Sequence, residues 1–487
     1  MPALAVDLLI HARWVIPVDP ANLVLTDHAV AVKNGRIVAL EPSITAREKF
    51  APAQAIELGE HALIPGLVNA HTHAAMTLMR GLADDLPLME WLEGHIWPAE
   101  AKHVSHAFVR DGTQLACAEM LRGGVTTLNE MYFFPEAAVE AVQASGMRAV
   151  IGMIAIEFPT AYANDADDYL SKGLAVKDKL RGEPLISFSL APHAPYTVSD
   201  GTFSRIRALS DELGVPIHVH MHETAFEVEE SLRQHGVRPL ERLNKLGLLG
   251  PQFIGVHSVH LSEADIALYA RHGASVAHCP TSNLKLASGI APIAKLAAAG
   301  VNLAIGTDGA ASNNRLDMFA EMRLAALLAK GSSGDAKALP AHAALRAATL
   351  GGAKALGLER EIGSIALGKA ADLVAVRFDR IELQPVYDPL SHLVYVAERT
   401  DVSDVWVAGR TLLREGAPAS GRGAKWLEVR ELVNPSSTTD ESAARGTAPD
   451  PDFSDVAKTQ QTLPTTAATG FADPHAISAL WQNRLKV

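Results

Sequence analysis

The chain opens with short apolar runs broken by turns. Residues 7–12 and 29–32 have the texture of strands, and Lys33-Asn34-Gly35-Arg36 between apolar runs is a strong hairpin signal. That texture returns over 363–413, with strands expected at 372–376 and 405–407. The centre is different. Short apolar strands, expected at 62–69, 124–129, 148–155, 185–191, 215–220, 253–257, 274–278 and 301–306, alternate with helical segments such as 107–121, 204–213 and 263–272. Eight such units at fairly even spacing predict an α/β fold, the (β/α)8 TIM barrel. A doubly wound open sheet competes, but its Gly-rich phosphate loop is absent after the first strand. The β-rich flanks predict a small β-sandwich domain built from both chain ends, 1–64 with 361–430, around a barrel over 65–360. From 431 to 472 the chain turns to Ser, Thr, Ala, Pro and Asp without periodicity, which reads as a disordered linker. Residues 473–487 regain a helical pattern through Ile477, Leu480, Trp481 and Leu485, so a C-terminal helix is expected there.

Composition narrows the class. Of 487 residues, 48% are hydrophobic, ample for a barrel-sized core. Lys plus Arg number 43 against 55 Asp plus Glu, a net charge of −12, which argues against a nucleic-acid partner. No run approaches the ~18–20 apolar residues of a membrane helix, and Asp7 and Arg13 interrupt the apolar stretch that a signal peptide would need. Cys117 and Cys279 are too few for a disulfide framework and lack zinc-ribbon spacing. The expectation is a cytoplasmic enzyme acting on a small molecule, with no membrane partner; a homo-oligomer is compatible with this composition.

The polar residues fall where barrel chemistry is done, at the C-terminal ends of strands. The first expected strand runs into His71-Thr72-His73, the fourth into His193, and the fifth into His218-Val219-His220-Met221-His222-Glu223. The sixth ends at His257, the seventh at His278 and the eighth at Asp308. Alternate residues of a strand share a side, so His71 and His73 can reach one ion. Such a pair alone is more often exposed or hydrogen-bonded than ligating; His220 and Asp308 at other strand ends change that balance. Three imidazoles, a carboxylate and an open position suit one Zn2+, with Fe2+ the alternative. An ion of this kind brings the pKa of a bound water toward ~7. Asp308 can take the proton, Glu223 can carry it to a ring nitrogen, and His257 can orient the water. Spacing leaves open which of His218, His220 and His222 binds the ion, and His260 and His278 read as packing or supporting residues.

These residues resemble the amidohydrolase superfamily, and more closely its methylthioadenosine/S-adenosylhomocysteine deaminases. The resemblance covers roughly residues 1–430. It is carried by Pro65-Gly66-Leu67-Val68-Asn69-Ala70-His71-Thr72-His73, by Gly81-Leu82-Ala83-Asp84-Asp85-Leu86-Pro87-Leu88 and by His278-Cys279-Pro280-Thr281-Ser282-Asn283-Leu284-Lys285. Gly306-Thr307-Asp308-Gly309-Ala310-Ala311-Ser312-Asn313-Asn314 and the late run from Gly363 to Val374 belong to it as well. The resemblance implies that His71, His73, His220 and Asp308 are the metal ligands and that Glu223 is the proton shuttle on the purine. It implies that Glu100 accepts hydrogen bonds from ribose hydroxyls and that His193 contacts the purine ring. Two-metal relatives place a carboxylated lysine at the end of the fourth strand; no lysine stands near His193, so one ion is expected. Relatives that accept S-adenosylhomocysteine can place an arginine beyond the third strand, whereas Arg148 lies at that strand's start. The expected reaction is therefore hydrolytic deamination of 5′-methylthioadenosine, also of adenosine, with S-adenosylhomocysteine weaker.

Two other readings compete. A guanine or cytosine deaminase, or a triazine chlorohydrolase, would use the same scaffold; Glu100 favours a ribose-bearing substrate over free bases. A catalytically silent metal-binding scaffold protein would be expected to have lost ligands, and this sequence keeps the set.

Overall fold

The computed structural model describes residues 3–419; the expected linker over 431–472 and helix over 473–487 lie outside the described residues. The first four strands are β1 (Leu4–Val15), β2 (Leu25–Lys33), β3 (Arg36–Pro42) and β4 (Phe50–Pro65). The next eight are β5 (Leu67–Thr72), β6 (Val125–Glu130), β7 (Arg148–Ala155), β8 (Ile186–Pro192), β9 (Ile217–Met221), β10 (Phe253–His257), β11 (Ser275–His278) and β12 (Asn302–Ile305). The last four are β13 (Leu373–Arg377), β14 (Val402–Val407), β15 (Arg410–Arg414) and β16 (Ala417–Pro418).

Strands β5 to β12 pair in parallel and in chain order. The seam between first and last is closed by single bonds rather than a ladder. Asp308 N donates to His71 O at 3.0 Å, and Thr307 N donates to the Asn69 side chain at 3.0 Å. This is the expected barrel. Its helices begin where the sequence supplies caps: Ser105 before His106–Arg122, Ser199 before Asp200–Leu213, and Ser262 with Asp265 in a capping box before Glu263–His272.

The other eight strands form one sheet from both chain ends, in the order β16-β15-β14-β13-β4-β1-β2-β3. Pairing is antiparallel except between β1 and β4. The Asn34-Gly35 turn joins β2 to β3 with φ of 50° and 75°, the twist a two-residue hairpin needs. Gly35 also passes so close to Ala408 that a Cβ would lie 2.6 Å from its carbonyl oxygen, so no larger residue fits. One expectation is corrected here. The apolar run 62–69 is two strands, because Gly66 divides it: residues up to Pro65 pair with β13, and Leu67 enters the barrel. A Cβ on Gly66 would lie 2.0 Å from Thr126 Oγ1, so only glycine lets the chain cross there.

The barrel floor and the second sheet are tied by a buried ion pair. Arg148, at the start of β7, donates from Nε to Asp372 Oδ2 at 2.9 Å and from Nη2 to Oδ1 at 3.2 Å. The backbone of Ala408 donates to the same carboxylate at 2.7 Å. Arg148 is thus fully engaged at the end of the barrel opposite the His-rich strand ends.

Candidate active site

His71, His73, His220 and Asp308 converge at the C-terminal mouth of the barrel, each offering a ligand atom within 4.8 Å of the others. The pairing of β5 with β6 is irregular between Asn69 and Thr72, the stretch that carries His71, and His73 follows the end of that strand. Nε2 of His71 and Nε2 of His73 each lie 3.2 Å from Asp308 Oδ1. The opposite ring nitrogens are held from behind: Nδ1 of His73 by Met131 O at 2.5 Å, of His220 by His193 O at 2.7 Å, and of His71 by His218 Nε2 at 2.9 Å. Asp308 accepts from Ser282 Oγ at 2.6 Å, Ser312 Oγ at 3.0 Å and Gly309 N at 2.8 Å. The donor set fits a divalent ion: three imidazoles, two of them buried and one part-buried, a buried carboxylate, and a His71 Nε2 without a hydrogen bond of its own.

Electrostatics agree with that fit. Burial lowers the pKa of His71 to about 4, so its imidazole is neutral near pH 7 and able to ligate. Burial alone would raise Asp308, but the imidazoles of His71 and His73 outweigh it and hold the carboxyl well below its usual range. Glu223 goes the other way. Burial, then the neighbouring charge of Asp308, pushes it up to about 8. His257 stands beside it, Nε2 at 3.7 Å from Glu223 Oε2, with its Nδ1 against Asn283 Oδ1 at 2.8 Å.

Backbone geometry separates the three histidines at the end of β9. His220 points to the cluster, His218 turns its Nε2 to His71, and the strand stops at Met221. His222 has φ of 52° and accepts from Leu240 N at 3.1 Å, away from the cluster. His260 is bonded to Ser288 O at 2.7 Å, and neither it nor His278 lines the cavity.

A cavity of about 630 Å³ opens over the cluster. His73, His193, His220, Glu223, His257 and Asp308 line its polar end. Glu100 lies in the same cavity and accepts from the Tyr132 hydroxyl at 2.7 Å. Burial raises Glu100 to about 7 against the opposing effect of that hydrogen bond. The remaining wall is largely apolar, with Leu88, Trp91, Leu92, Ile96, Ile154, Ile156 and Phe158 among its residues. No lysine or arginine of the described residues lines it.

A model described as the amidohydrolase family matches residues 62–412. The chain belongs to that family. It is 48% identical over 409 residues, 84% of this chain and 92% of the relative, to a 5-methylthioadenosine/S-adenosylhomocysteine deaminase of Teredinibacter turnerae. It is 47% identical, with the same coverage, to a protein of that name from Saccharophagus degradans. Among solved structures, a zinc-bound adenosine deaminase from Xanthomonas campestris superposes with a TM-score of 0.86 at 52% identity, covering 89% of this chain and 100% of its own. Atrazine chlorohydrolase of Arthrobacter aurescens superposes at 0.81 with 24% identity, covering 88% and 100%, a likeness of fold alone.

Two residues of this amidohydrolase site escaped sequence reasoning. Tyr132, just past β6, pins one oxygen of Glu100, 32 positions away; no local signal links them. Glu227 accepts from His222 N at 3.1 Å and Glu223 N at 2.8 Å, so it sets the backbone that carries Glu223. Its signal was present in Thr224-Ala225-Phe226-Glu227, the spacing of a helix-opening box, and Thr224 does cap the helix.

Proposed function

We propose that this amidohydrolase is a metal-dependent deaminase of adenine nucleosides, converting 5′-methylthioadenosine and water to the inosine analogue and ammonia. The observation that carries the reading is one cavity lined by His73, His220 and Asp308 of the four-residue cluster, by Glu223 and, in the same space, by Glu100 within a largely apolar wall. The similarity to proteins named as methylthioadenosine/S-adenosylhomocysteine and adenosine deaminases supports it. His71, His73, His220 and Asp308 would hold one ion, Zn2+ in our reading with Fe2+ the alternative. When bound, that ion supplies Lewis acidity that makes water nucleophilic near neutral pH.

The remaining steps belong to the protein. Asp308, ionised at neutral pH, accepts the proton that water loses on attacking C6 of the purine. Glu223, raised to about 8, carries a proton at pH 7 and delivers it to the ring nitrogen that gains electrons. Asp308 then gives its proton to the exocyclic amine as the C6–N bond breaks and ammonia leaves, and Glu223 recovers a proton from the C6 hydroxyl as the carbonyl forms. His257 restrains the attacking water beside Glu223. His193, on the cavity wall, contacts the purine. Glu100, held by Tyr132, accepts from the ribose hydroxyls, and the apolar wall receives the methylthio group. Among the described residues no helix is long and apolar enough to cross a membrane, and both cysteines are buried and unpaired. Those features support our placing the enzyme in the cytoplasm.

The test is an ultraviolet assay following adenine to hypoxanthine with zinc-loaded protein and methylthioadenosine. Chelation should abolish turnover, and about one equivalent of zinc should restore it. Turnover unaffected by chelation, or restricted to guanine, cytosine or triazines, would refute the reading.

A further inference from the structure

His218 takes no part in the cluster of four and does not line the cavity above it, yet it is wholly buried and touches a proposed ligand. Its Nε2 lies 2.9 Å from Nδ1 of His71, with ring centroids 4.9 Å apart and planes at 76°. The other two imidazoles of the cluster lean on main-chain carbonyls, Met131 O and His193 O. A carbonyl accepts whatever the side chain, so those supports are built into the backbone. The support of His71 is a side chain, and it comes from the strand that also supplies His220.

We infer that His218 is a positioning residue for metal binding: it accepts the Nδ1 proton of His71 and so commits His71 to present Nε2 to the ion. This rests on the metal reading above. A ligand nitrogen on an ion must be free of its proton, so the second ring nitrogen carries it and needs an acceptor. In most histidine ligands that acceptor is a carboxylate or a carbonyl; here it is a neutral ring. Its placement is rigid, because His218 pairs in register with Ile254 in the middle of the parallel sheet. The bond fixes His71 about its χ angles and removes the tautomer that would turn a protonated nitrogen to the ion. A histidine that merely filled the core would show none of this dependence on its acceptor.

The experiment measures zinc affinity by competition with a chromogenic chelator, and the thermal midpoint of the metal-free protein, for wild type, H218L and H218Q. Gln can place its amide oxygen near the position of Nε2; Leu fills space without an acceptor. H218L should bind zinc about 10–100-fold more weakly, and H218Q should return to within about threefold of wild type, while the metal-free midpoints of the two variants agree. Should H218L fail to fold, H218N, whose amide is too short to reach His71, takes its place in the same comparison. The inference is overturned if the variant lacking the acceptor binds zinc within about twofold of wild type, or if H218Q is no tighter than that variant. Wild-type protein that bound no zinc at all would instead overturn the metal reading.

Discussion

Glu100→Gln isolates the charge of one carboxylate with little change of shape. The Tyr132 hydroxyl can still donate to the amide oxygen, so the side chain should stay in place. What is lost, if Glu100 holds the ribose as proposed, is an anionic acceptor for its diol, replaced on one side by an amide that donates. Hydrogen bonds to charged groups contribute about 1.5–3 kcal/mol and neutral ones about 0.5–1.5. Two such bonds weakened together remove roughly 1.5–3 kcal/mol of transition-state binding, an expected fall of about 10–150-fold in kcat/KM for methylthioadenosine. Free adenine, which has no diol, should change by less than about twofold, so the gap between nucleoside and base narrows from the nucleoside side. The pH profile carries a second signature. Burial raises Glu100 to about 7, and the ionised form is the one that binds the diol, so kcat/KM falls as pH drops through about 7. Glu223 must be protonated to act, so kcat/KM also falls as pH rises through about 8. Wild type should show both limbs with nucleoside, and in E100Q the acid limb should become shallower, keeping only what metal-bound water sets at pH ~7. Initial rates with both substrates from pH 5.5 to 9 decide it. Equal losses on nucleoside and base, or an acid limb as steep in E100Q as in wild type, would refute the assignment of Glu100 to the ribose.

Asp308→Asn should leave a folded protein, by circular dichroism, with turnover down by orders of magnitude; near-normal rates would sink its role as base and ligand. Because no cation of the described residues lines the cavity, the charged tail of S-adenosylhomocysteine goes unpaired at a cost of about 1–3 kcal/mol. Its kcat/KM should therefore trail methylthioadenosine by about 5–150-fold, with adenosine between and adenine lowest; parity between the two named substrates would refute this. Arg148→Met strands the buried carboxylate of Asp372 and should destabilise by about 3–5 kcal/mol, with R148M/D372L losing less than R148M alone in denaturant titrations. Additive losses in that pair would show that the bond between barrel and sheet is not the cause.

Several features of this protein follow from the sequence alone because they are set by neighbours along the chain. Alternation and apolar runs mark the strands, Asn34-Gly35 marks a hairpin, and serines before helical stretches mark their starts. Polar residues at the ends of otherwise apolar strands mark the chemistry, since a buried His or Asp there has to be satisfied by something. The tertiary structure decided what depends on register and approach. His222 stays out of the cluster because the strand ends at Met221 and His222 bends into the left-handed region, while His218 lies behind His71 and leaves His220 to join it. The run 62–69 serves two sheets because Gly66 must pass Thr126, a residue 60 positions on. Tyr132 meets Glu100, Arg148 meets Asp372 and His218 meets His71 across 32, 224 and 147 positions. A local pattern states which face of an element is buried. Which residue waits across that face is set by how the strands shift, bulge and close, and only the folded chain holds that information.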